Sequence, residues 1–324
     1  MTDILYHSLR RLLMPHPKEE LTIIPETLWP SHLLYWRRMG SRQISEYVEQ
    51  TPSEKQLILF AWGVLEAHGP FLPVANDSHL ASVAADEVAH RLFHDHHIQP
   101  IIFDSFADVG SPSATWEFPG AVAYSSHPVP VIQEIWEQTL SRMHKEGFRK
   151  FFLINGDGGN WMNHWARLKW DSSVIRDLTQ KHGLVFSGSN WDQEGGEPFP
   201  HAGVLDHAFI AWASRFAPER IRLSALRHGL HPVDEALLPQ IDGVNKLWLE
   251  GEKRRFTDWS RYKDQKEHRG VVEFSLERYR NLLYEEDGSP RQTGGVSADF
   301  EEKMKFLMKQ VLNVVQSPSS LPLL

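Results

Sequence analysis

Apolar positions change their period along this chain, and the changes mark elements. Leu57-Ile58-Leu59-Phe60-Ala61-Trp62 is a short unbroken apolar run, the pattern of a strand buried on both faces. Leu80, Ala84, Val88 and Leu92 then recur every fourth residue, which predicts a helix. The alternation repeats. Pro100–Phe103 reads as a strand, and Val131-Ile132, Ile135, Leu140 and Met143 as a helical stripe that stops before Gly147. Phe151–Ile154 reads as a strand, 161–181 as a helix, Gly183–Phe186 as a strand, and Asp206–Phe216 as a helix halted near Pro218. Phe300, Met304, Leu307, Val311 and Val314 close the pattern with another helical stripe, ahead of a Ser/Pro tail. Strands alternating with helices predict an α/β fold: a mostly parallel central sheet flanked by helices. Ligands of such sheets sit beyond the carboxyl ends of the strands, so the loops after the strands are the ones to inspect.

Two stretches fall outside this pattern. Residues 1–50 read as an N-terminal arm with scattered prolines and an aromatic patch of Trp29, Tyr35 and Trp36. Residues 225–290 are charged, with interspersed Trp248, Trp259 and Tyr262, and read as an insertion at the surface or a subunit contact. No repeat or long linker is seen, so 1–324 reads as a single domain. The aromatic arm would be costly to leave in water, and a subunit contact would bury it.

Composition narrows the chemistry. The net charge is −8 and no long basic run occurs, which argues against nucleic acid and anionic membrane as partners. With no cysteine, thiol nucleophiles, zinc fingers and iron–sulfur clusters are excluded, and any metal must be held by His, Asp and Glu. The N-terminus fits neither a signal peptide nor an anchor, so the expected compartment is the cytoplasm.

Three segments carry candidate chemistry. The first buried strand runs into Glu66-Ala67-His68-Gly69-Pro70-Phe71-Leu72-Pro73, with Asp77 close behind. Gly69, Pro70 and Pro73 would stiffen a loop that presents three metal-competent side chains. The plainer reading makes Glu66 and His68 solvated loop residues and Asp77 a helix cap. The strand at 151–154 leads into Asn155-Gly156-Asp157-Gly158-Gly159-Asn160. A phosphate cradle would need glycine where Trp161 stands, so this is either a plain turn or a backbone loop that aims one carboxylate at a ligand. The last segment, His201-Ala202-Gly203-Val204-Leu205-Asp206, sets a histidine ahead of a helix with an acid at its start; Asp206 alone would read as dipole stabilisation.

Together these segments resemble the creatininase (creatinine amidohydrolase) family. Its marks are a Glu-x-His-Gly-x-x-Leu-Pro loop followed by Asp, an Asn-Gly-His-Gly-Gly-Asn loop, and a His-Ala-Gly segment with an acid three residues on. Phe118-Pro119-Gly120 and Gly294-Gly295-Val296 add weaker likeness. The resemblance implies a three-layer α/β sandwich holding two divalent metal ions. Carried over by position, Glu66 and Asp157 would hold one ion, His68 and Asp206 the other, and Asp77 would bridge them. His201 would be the catalytic proton shuttle. Trp191, Trp116 and Asn160 would contact substrate. The resemblance also implies a homo-oligomer, a hexamer in that family.

This chain departs from the pattern at ligand positions. Asp157 stands where the family has His, and Asp206 where it has Glu. One imidazole among five ligands favours Mn2+, with Zn2+, Fe2+ or Mg2+ as other ions the set could take. Glu66, Asp77, Asp157 and Asp206 bring four negative charges, which two divalent cations would balance. The expected reaction is hydrolysis of a small cyclic amide by metal-activated water. The alternatives are C–C hydrolysis of a cyclic polyol ketone, such as an inositol-derived diketone, and a catalytically silent binding member. His94-Asp95-His96-His97 reads as a solvated loop after a helix, and Trp161, Trp165 and Trp170 as packing.

Overall fold

The computed structural model describes residues 30–65, 68, 72–105, 129–161, 165, 168, 171–191, 193–197, 203–239 and 274–318. The chain divides into Met1–Ser31 and His32–Leu324, and every element below belongs to the second unit. In chain order these are β1 (Leu34–Tyr35), α1 (Ser41–Gln50), β2 (Ile58–Trp62), α2 (Asn76–His96), β3 (Ile101–Phe103), α3 (Val129–Lys145) and β4 (Lys150–Asn155). Then come α4 (Ser173–His182), β5 (Val185–Asn190), α5 (Val204–Ala211), α6 (Glu219–Arg227), α7 (Leu276–Leu283) and α8 (Gly295–Gln316).

The five strands form one sheet in the order β1-β3-β2-β4-β5, and every pairing is parallel. The all-parallel arrangement explains the unbroken apolar runs: β2 is buried at all five positions and β4 at all six. Alternate side chains divide the core between the two faces. Ile58, Phe60 and Trp62 join Phe151 and Leu153 beneath Ile132, Trp136 and Leu140 of α3, with Tyr47 of α1 and Ile175 of α4. On the other side α2 lies along β2, and α8 along β4 and β5. The expected α/β architecture is therefore the one found.

Strand order fixes where a ligand can sit. From β2 the chain moves to β3 on one side, and from β4 it moves to β5 on the other. β2 and β4 are neighbours, so the sheet's topological switch point lies between their carboxyl ends. The loops that leave those two ends begin at Gly63 and Gly156.

Several local expectations change. The helix expected over 161–181 is interrupted at Ser172, whose hydroxyl accepts from the Ile175 amide and starts α4 afresh. The strand expected at 183–186 begins at Val185, because Gly183 takes φ +65° to end α4, and it continues to Asn190. Its polar second half, Ser187-Gly188-Ser189-Asn190, carries no apolar signal, yet it pairs with β4 throughout. His94-Asp95-His96 is the last turn of α2, not a loop; the helix ends only at His97, in the left-handed conformation.

Tyr35 and Trp36, expected in an arm, lie against the sheet. Tyr35 is buried in edge strand β1, and Trp36 packs edge-on against Phe103. Tyr35 is thus covered by its own chain, while Trp36 stays half-buried against the core. The patch's third member, Trp29, lies outside the described residues, as do 240–273 of the expected insertion. Among the described residues no helix is long and apolar enough to cross a membrane.

Candidate functional site

The two glycines at the switch point let a helix end come unusually close. A Cβ on Gly63 would lie 2.3 Å from the Ser78 amide nitrogen, and one on Gly156 would lie 2.5 Å from the Asp77 carbonyl oxygen. Only hydrogen fits at either place, so the first turn of α2 presses against the ends of both β2 and β4. Asp77 lies on that first turn. His68, from the loop after β2, brings its Nε2 to 2.8 Å from Asp77 Oδ1. Both side chains are nearly sealed from solvent, at 1% and 9% exposure. A His–carboxylate contact at such burial is a polar pair held in place by the fold rather than a surface encounter.

Asp157 enters from β4. Its Oδ2 accepts the Asn160 amide at 2.5 Å, closing a single helical turn, and Asn160 Nδ2 donates to Gly63 O at 2.8 Å. The loop after β4 is thus tied to the end of β2. Asn155 Nδ2 donates to both Asp157 O and Asn190 Oδ1, which ties the loop to the end of β5 as well. Three strand ends are locked together by asparagine side chains, and the Asp157 carboxylate is buried among them.

Asp206 is buried in the first turn of α5. Asp77 and Asp206 therefore share a setting, a buried carboxylate in the first turn of a helix. Trp191 follows β5 and is buried with its ring edge-on to Phe209 of α5 and Phe300 of α8, so it seats α5 beside the carboxyl edge of the sheet. Glu66, Trp116 and His201 lie outside the described residues.

Two residues next to the candidates went unnoticed in the sequence. Asn76 is wholly buried, and among the described residues neither of its amide atoms has a hydrogen-bond partner. A buried amide left in that state costs free energy and calls for a polar neighbour such as a cation or water. His207 is buried beside Asp206; burial pushes it down to about 4, against the opposing effect of its Nδ1 hydrogen bond to Gly203 O at 2.9 Å. Neutral at physiological pH, it adds no positive charge to this acidic edge. Both stand beside an acid in the sequence, and that adjacency was the signal available.

Of the carried-over ligands among the described residues, His68 and Asp77 are in contact, while Asp157 is buried in the loop after β4 and Asp206 in the first turn of α5; the group of three possible ligand side chains found within 4.8 Å of one another among the described residues is His32, His90 and His94. The profile of the creatininase family, described as creatinine amidohydrolase, matches residues 41–267. The chain belongs to the creatininase family of hydrolases. The match spans the Glu66–Asp77, Asn155–Asn160 and His201–Asp206 segments, and it runs on into the stretch expected as an insertion. A 3-dehydro-scyllo-inosose hydrolase of Thermotoga maritima is 25% identical over 207 residues, 57% of each chain. The chain thus spans little more than half the length of that curated relative. A solved putative creatinine amidohydrolase from Bacteroides fragilis is 15% identical, with a TM-score of 0.49 over 89% of this chain and 99% of the other. A structure described as creatininase Mn is 14% identical, with a TM-score of 0.45 over 56% and 73%.

Proposed function

We propose that this creatininase-family member is a metal-dependent hydrolase whose site is the β2/β4 switch point. One observation carries the reading: the buried His68–Asp77 pair, pressed between two glycine-started loops, one of which bears Asp157. Glu66 and Asp157 would hold one divalent ion, His68 and Asp206 the second, and Asp77 would bridge them. Bound there, the ions would lower the pKa of water and polarise a substrate carbonyl. The chain's own work is then positional. Asp77 is fixed by the helix it starts, and Asp157 by the Asn155 and Asn160 hydrogen bonds. His201 would give a proton to the leaving atom, and Trp116, Trp191 and Asn160 would border the substrate.

The substrate class we favour is a small cyclic amide. A cyclic polyol ketone opened at a C–C bond is the second reading, and the 25% identity to an inosose hydrolase is the observation that supports it. Product analysis on lactams against cyclic polyol ketones separates the two. A homo-oligomer is also proposed, on the family resemblance alone; a monomeric mass by light scattering at micromolar concentration would remove that part.

The decisive experiment is metal reconstitution of chelator-stripped protein across Mn2+, Mg2+, Fe2+ and Zn2+. With carboxylates at 157 and 206, turnover should return best with manganese. Asp157→His should shift the preference toward zinc, and Asp77→Ala should abolish turnover and empty the carboxylate site of both ions. Full manganese content in the Asp77→Ala chain, or an unchanged preference in Asp157→His, would overturn the ligand assignment.

A further inference from the structure

The last turns of α2 carry a histidine cluster that the proposed chemistry leaves unused. His90 and His94 are four residues apart on one face of the helix, and their ring centroids are 4.3 Å apart. His32, just before β1, lies against both, with centroids 5.1 Å from His90 and 5.0 Å from His94. Its Nε2 is 3.1 Å from His90 Nδ1. One ring nitrogen from each of the three falls within 4.8 Å of the others.

The arrangement is built. The His32 ring stacks on Phe93 at 4.9 Å, with planes only 16° apart. Its backbone carbonyl is held by Gln99 Nε2 at 3.1 Å. Two imidazoles at i and i+4 on a rigid helix are the spacing that holds a zinc ion in helical metal sites. Ligands about 2.0 to 2.1 Å from a tetrahedral zinc stand roughly 3.4 Å from one another, so small side-chain rotations would bring these three nitrogens onto one ion. His32 and His90 are half-buried and His94 is exposed, which leaves an open fourth position for water.

From this geometry we infer that His32, His90 and His94 form a mononuclear site for a borderline transition-metal ion, zinc above all. It is distinct from the carboxylate site. The thirteen residues from Asp77 to His90 put it about 20 Å along the same helix. The donor chemistries differ too, since three neutral imidazoles select zinc, copper or nickel over manganese and magnesium. Such an ion would clip the segment before β1 to the far end of α2.

The test uses the full-length protein, stripped with chelator and titrated with zinc chloride alone, read by calorimetry and by metal content after desalting. The unmodified chain should retain one zinc more than a His90→Ala/His94→Ala chain. The Asp77→Ala chain should keep that ion, which separates this inference from the proposed hydrolase site. His94→Ala alone, at an exposed position, should weaken zinc at least about 10-fold with an unchanged circular dichroism spectrum. Zinc should raise the melting temperature of the Asp77→Ala chain, and that rise should vanish when His90→Ala and His94→Ala are added to it. A His96→Ala/His97→Ala chain serves as the control and should bind as the unmodified protein does. Equal zinc content with and without His90 and His94, or loss of the ion in the control, would overturn the site.

Discussion

At residue scale, Gly63 and Gly156 set the separation between strand ends and helix. Adding a methyl at either pushes against backbone, at 2.3 and 2.5 Å, with no flexible side chain to yield. Gly63→Ala and Gly156→Ala should each cost roughly 1 to 3 kcal/mol by thermal denaturation and displace Asp77, lowering bound manganese. Gly158→Ala is the matched contrast: nothing lies within 4 Å of its Cβ position, so stability should move by less than about 0.5 kcal/mol. Equal effects at all three positions would show that close approach to α2 is not what these glycines provide.

At element scale, α2 organises the chain well beyond the site. Near its middle the buried Asp86 carboxylate accepts from Tyr35 OH of β1 and from Ser224 Oγ of α6 at 2.7 Å, and it meets His228 Nε2 at 3.1 Å. Glu87 beside it accepts two hydrogen bonds from Arg220 of α6. Asp86→Ala would strand three polar groups at once, and we expect about 2 to 4 kcal/mol lost in urea denaturation. An unchanged midpoint would mean that water replaces the carboxylate without cost. This network also shows what the sequence reading could and could not reach. The fully buried strands were legible because both faces are apolar. Helix α2 was legible as a stripe at 80, 84, 88 and 92, yet seven other residues in that span are also buried, including Asp86 and Glu87, and periodicity says nothing about those. Strand β5 was half legible, because Ser187–Asn190 joins the sheet through backbone pairing with β4, and a polar edge strand leaves no apolar trace. Spacing on a stiff loop grouped His68 and Asp77 as candidate ligands, but their direct contact was not legible. Nor were the roles of Asn76 and His207, since a buried amide or imidazole is recognised only by what surrounds it.

At the scale of the whole molecule, the helix that starts at the proposed carboxylate site ends at the histidine cluster, and the segment at edge strand β1 is fastened along it, through Tyr35 at its middle and His32 toward its far end. The switch point also has a consequence in time. Its two loops belong to strands far apart in the chain, and the bond that ties them, from Asn160 to Gly63, joins residues 97 positions apart. Loop closure over that distance is slow compared with helix formation, so the β2–β4 pairing should be among the last events of folding. On the proposed ligand set, Asp157 would join the His68–Asp77 pair only after that pairing exists. Cation capture at the proposed carboxylate site would therefore be a clock for completed topology. In stopped-flow refolding with manganese present, metal uptake should share the slowest phase of tertiary structure formation. Uptake during an earlier helical phase would mean that the local His68–Asp77 loop alone suffices to hold the ion.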